Sequence, residues 1–243
     1  MKTKLLTTTA VLALSLSSGA QASLVARAGG MVYDDVNKIT WASDANLFQT
    51  QAASNANLVS EIIAANGGVI NDTPNPYDVY TGIYNLSSAD FNTTTGAMTW
   101  FGAQAWANNL TLGGVTGWSL PSTPVKATGY NVTSSQMGDL FYNQLGVSDG
   151  YSIATSTNPN YSLFTNVQSY VYWSGSEYAP VPGYAWSFGT NYGYQDDDIK
   201  GDQLYAWAVR PGDVAAVPVP GAFWLFGSAM VGLMGLKRRG SIG

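Results

Sequence analysis

Hydrophobic and polar positions alternate near both ends of the central part of the chain. Residues 31–35 and 38–41 alternate as two short strands, and the polar turn between them predicts a β-hairpin. Residues 204–210 alternate again, with Tyr, Trp and Val on one face and with Ala and Arg on the other. The dipeptide Pro211-Gly212 ends this segment, because proline cannot extend a ladder of hydrogen bonds. We therefore expect the central domain to begin and to end in strands.

Apolar residues recur at helical spacing three times between these strands. The spacing predicts helices over residues 52–65, over 100–110 with Thr99 as the cap, and from about 136 onward after the capping box at 133–136. Further on, residues 169–174 and 184–188 again read as strands. This order predicts an α+β domain, with helices in the first half and antiparallel β structure in the second.

The amino-acid composition excludes several classes of function. Only 10% of the residues are charged, 13% are aromatic, and the chain contains neither cysteine nor histidine. Ser-His-Asp and Cys-His catalysis and thiolate metal sites are therefore excluded. Residues 23–217 carry a net charge of −10, which argues against a nucleic-acid partner. We expect no enzyme activity and no cofactor.

The N-terminus has the pattern of a secretory signal peptide. Lys2 and Lys4 precede an apolar run over 5–16, and the small residues of Ala20-Gln21-Ala22 follow. This arrangement predicts a signal peptide over 1–22, with cleavage after Ala22. A short membrane anchor is the alternative. No cysteine follows the run, so a lipid-anchored lipoprotein is excluded.

The C-terminus combines an apolar run with a basic end. Residues 222–236 carry no charge, and counting from Val217 gives twenty residues, which would just cross a hydrocarbon core of about 30 Å. The pattern predicts a transmembrane helix at about 219–236. The basic end over 237–239 would hold the C-terminus in the cytoplasm.

The same segment resembles a PEP-CTERM sorting tail. Its elements in order are Val217-Pro218-Val219-Pro220, then Trp224-Leu225-Phe226-Gly227-Ser228, a Gly- and Leu-rich run and Arg238-Arg239. The tripeptide Pro218-Val219-Pro220 lacks the glutamate usual in that family. The resemblance implies export through the inner membrane of a Gram-negative, exopolysaccharide-making bacterium, membrane anchoring of the precursor, and processing by an exosortase at the motif marked by Val217, Pro218 and Pro220. The chain then divides into 1–22, a domain over 23–214 and a tail over 215–243.

The domain itself resembles the Lcl C-terminal (DUF1566) family. The resemblance rests on several motifs in sequence order: Tyr33-Asp34-Asp35, Ile39-Thr40-Trp41, Met98-Thr99-Trp100, Gly117-Trp118-Ser119-Leu120-Pro121, Tyr172-Trp173-Ser174 and Tyr205-Ala206-Trp207-Ala208-Val209-Arg210-Pro211-Gly212. It implies a C-type-lectin-like fold, related to the formylglycine-generating enzymes, whose cysteines this chain lacks. Ser119 and Gly175 depart from the family pattern, and residues 48–95 look like an insertion. Family members can assemble as trimers, so an oligomer is open to this chain.

Candidate binding residues cluster in the second half. Tyr178, Tyr184, Tyr192 and Tyr194 are candidate ligand-binding residues, because sugar sites use aromatic faces, whereas Trp173, Trp186 and Trp207 are assigned to the core. The acidic residues Asp196, Asp198 and Asp202 are weak candidates for a calcium site, with a solvated acidic loop as the alternative.

Arg210 is expected to need a carboxylate partner. It lies at the end of an aromatic strand among small residues, where a cation is partly buried. Glu177 is the first expected partner and would make a structural ion pair with it. Asp34 or Asp35 is the second.

Together these observations predict a secreted protein that is sorted to the cell surface or the extracellular matrix. Its expected role is adhesive or structural in the envelope, the exopolysaccharide matrix or a biofilm, with polysaccharide as the expected ligand. Two alternatives stay open, namely a carboxylate-dependent enzyme acting on glycans and a purely structural matrix protein without a ligand.

Overall fold

Three antiparallel sheets and four helices occupy residues 24–124 and 127–214, which are the residues that the computed structural model describes. The strands are β1 (Leu24–Arg27), β2 (Met31–Asp34), β3 (Ile39–Ala42), β4 (Val69–Asn71), β5 (Ile83–Asn85), β6 (Gly129–Tyr130), β7 (Val171–Glu177), β8 (Tyr184–Gly189), β9 (Tyr194–Ile199) and β10 (Val209–Pro211). The helices are α1 (Leu47–Ser54), α2 (Leu58–Ala65), α3 (Trp100–Asn109) and α4 (Gln136–Asp139), which continues as a π-helical turn over Leu140–Gln144.

The first sheet joins the two ends of the domain. Its order is β1-β2-β3-β10, and the predicted hairpin is confirmed as β2 and β3. Val209 in β10 lies opposite Trp41 in β3, so the last strand closes the sheet that the first three began. The predicted strand over 204–210 shortens to Val209–Pro211, and Leu204 and Tyr205 form only isolated bridges, to Met98 and to Tyr172. The expected two-faced pattern is also absent, because Ala206, Trp207 and Ala208 are all buried.

The second sheet contains a strand that the sequence pattern did not predict. Its order is β6-β9-β8-β7, and β9 carries three consecutive aspartates. Aspartate is depleted in strands, so Tyr194–Ile199 resembled a loop. The segment is a strand because it pairs with β8 over six positions, from Tyr184 opposite Ile199 to Gly189 opposite Tyr194. This pairing outweighs the low strand preference of its aspartates.

The helices partly follow the prediction. Helix α3 is confirmed, and the Thr99 hydroxyl caps it by accepting a hydrogen bond of 3.2 Å from the Gly102 amide. The single helix predicted over 52–65 is instead α1 and α2. Asn55 breaks it, because its backbone is extended and its side-chain oxygen accepts from the Asn57 amide at 3.0 Å, a local turn that competes with the helix.

The predicted fold class, an α+β C-type-lectin-like domain with a C-terminal transmembrane helix, is wrong. Strands β1 to β5 all precede residue 90, so sheets occur in both halves and the domain is a mixed α/β fold in which sheets dominate. In the part of the chain that the structure describes, no helix is long and apolar enough to cross a membrane. The transmembrane helix predicted at about 219–236 lies outside the described residues.

Trp173, Trp186 and Trp207 are buried, as predicted, and Trp173 and Trp207 belong to the main hydrophobic cluster. Trp207 packs edge to face against Trp41 with ring centroids 5.3 Å apart, and its Nε1 donates to the Ala42 carbonyl at 2.7 Å. The Trp173 Nε1 donates to the Met98 carbonyl at 2.9 Å. The Trp100 Nε1 in α3 donates to the Ser174 carbonyl in β7 at 2.9 Å, so indole N–H groups join both larger sheets and α3 to neighbouring backbone. The buried Nε1 atoms of Trp41 and Trp186 have no hydrogen-bond partner among the described residues.

Gly138 at the start of α4 provides a test of this packing. A Cβ atom there would lie 1.9 Å from the Val132 carbonyl oxygen. We expect Gly138→Ala to lower the free energy of unfolding by about 1–3 kcal/mol, although alanine is the better helix former. Urea denaturation measures the loss. Gly183→Ala is the matched control, because its Cβ would meet nothing closer than 3.6 Å, and an equal loss in both variants would contradict the packing argument.

Candidate functional site

A lysine is completely buried at the end of β9. The Lys200 ammonium lies 2.7 and 2.8 Å from the two carboxylate oxygens of Asp72 and 3.2 Å from Oε2 of Glu177. It also lies 4.4 Å from the ring centroid of Trp100. A buried ammonium needs such partners, because isolated burial of a charge is costly. We call Lys200, Asp72 and Glu177 the lysine cluster.

The two carboxylates of the lysine cluster differ in environment. The Asp72 side chain is fully buried, and this burial raises the pKa of Asp72 even though Lys200 opposes the shift. Burial acts in the same direction on Glu177, but a hydrogen bond from the Thr73 hydroxyl and the charge of Lys200 outweigh it and lower the pKa of Glu177 below its usual value. Glu177, whose side chain is 30% exposed, is therefore the ionised carboxylate that faces solvent.

Glu177 opens onto a cleft of about 490 Å³, which is large enough for a small ligand. The cleft is lined by Thr73, Thr123, Pro124, Gly175, Ser176, Glu177, Ala179 and Pro182. Hydroxyl groups and one carboxylate supply its polar contacts, and prolines and an alanine supply its apolar ones. Residues from three separate parts of the sequence meet here, so local sequence patterns do not reveal the site.

A second candidate site lies at the other end of the same sheet. Tyr130 in β6 is directly opposite Tyr194 in β9, with ring centroids 4.8 Å apart, and Tyr192 lies 6.2 Å from Tyr194 and 6.3 Å from Tyr130. Tyr130 is 48% exposed, and the other two rings are half-buried. We call these three residues the tyrosine platform. Exposed Asp196 follows on β9 and points to the same face as Tyr194.

The four predicted binding tyrosines do not form one site. Tyr192 and Tyr194 belong to the tyrosine platform, whereas Tyr178 packs edge to face against Trp186 at 5.2 Å. Tyr184 begins β8, opposite Ile199 and thus at the end of the sheet near the lysine cluster. The sequence reasoning missed Tyr130, because only the pairing of β6 with β9 brings it to Tyr194. A ligand-binding role for these tyrosines stays a prediction.

The weak calcium candidates do not come together. Asp196 and Asp198 lie in β9, and the Asp198 carboxylate accepts a hydrogen bond of 2.6 Å from the Ser187 hydroxyl. Asp202 follows the strand, beyond Lys200. Within residues 24–124 and 127–214, no three acidic side chains are grouped so that they could hold a metal ion.

The predicted ion pair between Arg210 and Glu177 is wrong. Glu177 is paired with Lys200, which also pairs with Asp72, and the remaining ion pair within 4.0 Å in the described ranges joins Arg27 to Asp213 at 2.7 Å. Arg210 lies in β10 of the first sheet, opposite Thr40, while Glu177 ends β7 of the second. The motif order along the sequence could not show that these strands belong to different sheets.

The sequence reasoning also missed the lysine cluster and its cleft. Asp72 and Thr73 fall within residues 48–95, which look like an insertion in the sequence. The one available signal was Lys200 itself, a rare cation placed next to an aspartate-rich segment in a chain with few charges.

The sorting motif residues Val217, Pro218 and Pro220 and the signal cleavage site at Ala22 lie outside the described residues. Comparisons with protein-family models, with curated proteins and with solved structures find no match to this chain. The resemblances to the Lcl C-terminal family and to PEP-CTERM tails therefore stay predictions.

Replacing the buried lysine tests the lysine cluster. Lys200→Met leaves Asp72 and Glu177 without their cation, and we expect the free energy of unfolding to fall by about 3–5 kcal/mol at neutral pH. Urea denaturation measures this loss. Lys38→Met is the matched control, because Lys38 is exposed and its side chain makes no ion pair within the described part of the chain. A comparable loss in the control would contradict the role of the cluster.

The pH dependence of the same loss gives a second test. The lowered pKa of Glu177 means that its stabilising contribution is present above its unfolded pKa and is lost as the pH falls through its folded pKa. The raised pKa of Asp72 acts in the opposite direction, since the folded protein binds that proton more tightly. Below about pH 4 both carboxyls gain protons in Lys200→Met, so we expect the difference from wild type to shrink. A difference that stays constant from pH 7 to pH 3 would contradict this account.

Proposed function

We propose that this chain is an exported bacterial surface protein that holds saccharide chains in the envelope or the exopolysaccharide matrix. The observation that carries the proposal is the tyrosine platform, in which Tyr130, Tyr192 and Tyr194 present neighbouring rings at the end of the second sheet. Aromatic rings stack on the C–H faces of sugars, and nearby Asp196 supplies a hydrogen-bond acceptor for hydroxyl groups. An adhesive role follows from such a surface.

Charge and composition support the same role. The net charge of −10 over 23–217 keeps the domain soluble outside the cell and disfavours retention of anionic polymers through bulk charge. The sequence features at the two ends support export through the inner membrane and processing of the tail by an exosortase-type enzyme. Neither the N-terminal signal nor the C-terminal tail bears on which saccharide is bound.

The geometry of the lysine cluster favours binding over catalysis. A glycoside hydrolase of the usual kind needs two carboxyl groups that both reach the substrate. Glu177 reaches the cleft, but the Asp72 side chain is fully buried beneath Lys200. The pair therefore lacks the second accessible carboxyl group, and the enzyme alternative gains no support from it.

The tyrosine platform is tested by its effect on polysaccharide retention. We expect the purified full-length protein to be retarded in affinity electrophoresis through gels containing the exopolysaccharide of the producing strain. The double variant Tyr130→Ala/Tyr194→Ala is expected to lose most of this retardation, because stacking contributes roughly 1 kcal/mol or more for each ring. Circular dichroism checks that the variant is folded.

Tyr80→Ala is the matched control, since Tyr80 is 69% exposed but lies on the turn between β4 and β5, away from the platform. Retention that survives loss of both platform rings would contradict the proposal. Absence of any retention by the folded wild type would favour the alternative of a structural matrix protein without a ligand.

A further inference from the structure

The cleft beside Glu177 is separate from the tyrosine platform. Glu177 and Lys200 lie at the end of the second sheet where β7 and β9 finish, whereas Tyr194 begins β9. Six residues of extended strand separate these ends, which corresponds to about 17 Å. A ligand in the cleft would therefore contact a different set of residues.

The polar groups of the cleft are fixed in orientation. Glu177 is held by the Lys200 ammonium, which lies 3.2 Å from its Oε2. The Ser176 hydroxyl oxygen accepts from the Thr123 amide at 2.9 Å, and its hydrogen has no acceptor among the described residues. Glu177 thus offers an ionised acceptor and Ser176 offers a donor, both with little rotational freedom left to lose on binding.

The charge of the cleft limits the chemistry of its ligand. The described lining residues include no cation, so an anion would find no oppositely charged partner on the cleft surface. The Lys200 ammonium already pairs with Glu177 from the interior, so a cationic ligand would gain less than it would from an unpaired carboxylate. A fully apolar ligand would leave the carboxylate and the hydroxyl desolvated without partners.

We propose that this cleft binds one neutral hexose unit of a saccharide. Hexose hydroxyl groups would donate to Glu177 and accept from Ser176, while the apolar side of the ring would face Pro124, Pro182 and Ala179. The volume of about 490 Å³ holds one or two such rings. This inference shares with the proposed function only the saccharide class of ligand and concerns a different surface.

Isothermal titration of the purified full-length protein with maltose, cellobiose and lactose tests the inference. We expect saturable binding of at least one of these neutral disaccharides. Glu177→Gln should weaken that binding by roughly tenfold or more, because a hydrogen bond to a charged group is lost. Glucosamine and galacturonic acid serve as the cationic and anionic probes and are expected to bind more weakly.

A second variant keeps the test valid if Glu177→Gln disturbs the lysine cluster. Ala179 is an exposed residue of the cleft wall, so Ala179→Trp should fill the cleft and abolish binding without changing the cluster. Ala89→Trp is the matched control, because Ala89 is exposed and does not line the cleft. Equal effects of the two tryptophans on binding would overturn the assignment of the site.

Two other results would also overturn the inference. The first is that none of the three disaccharides binds the folded wild type, and the second is that either charged probe binds more tightly than they do. Tyr130→Ala/Tyr194→Ala should leave the disaccharide titration unchanged. Polymer retention that survives in Tyr130→Ala/Tyr194→Ala counts against the tyrosine platform, and disaccharide binding that survives in Ala179→Trp counts against the cleft, so the failures of the two proposals are distinguishable.

Discussion

The ammonium of Lys200 is the group on which the arrangement of the cleft beside Glu177 depends. It lies in the protein interior and must be compensated there, and the compensation comes from Asp72 after β4 and from Glu177 at the end of β7. Because these carboxylates belong to distant parts of the chain, the need to satisfy one charge joins the β4–β5 hairpin to the second sheet. The backbone of Lys200 adds to this connection, since its carbonyl accepts from the Trp100 amide at 2.9 Å and its amide donates to the Gly183 carbonyl at 2.9 Å.

This compensation also orients the surface that a ligand would meet. One carboxylate oxygen of Glu177 accepts from the buried Lys200 ammonium. This contact fixes the direction in which the carboxylate faces the cleft. The tyrosine platform is held differently, through cross-strand pairing of Tyr130 with Tyr194 at the far end of β9. The same strand therefore positions a charged, hydroxyl-lined cleft at one end and an aromatic surface at the other.

The sequence pattern predicted the features that depend on residues close together in the chain. The hairpin of β2 and β3, the Thr99 cap and the burial of the three tryptophans follow from alternation, capping preference and hydrophobicity, and all three were predicted from the sequence. The elements that were missed depend on long-range pairing. Strand β9 contradicts the low strand preference of aspartate, and the partner of Glu177 could not be inferred without knowing that Arg210 lies in the other sheet. The fold class failed for the same reason, because the first sheet combines strands from both halves of the chain.

The first sheet brings the start of β1 and the end of β10 close together. Leu24 pairs with Asp34, Asp34 with Ile39, and Ile39 with Pro211, so the start of β1 and the end of β10 lie at the same end of the sheet on its two outer edges. Three strand spacings separate them, or about 14 Å. A linker of about five extended residues would bridge that gap. The domain is therefore suited to circular permutation, with new termini opened between the exposed residues Val79 and Tyr80 while the first sheet stays continuous.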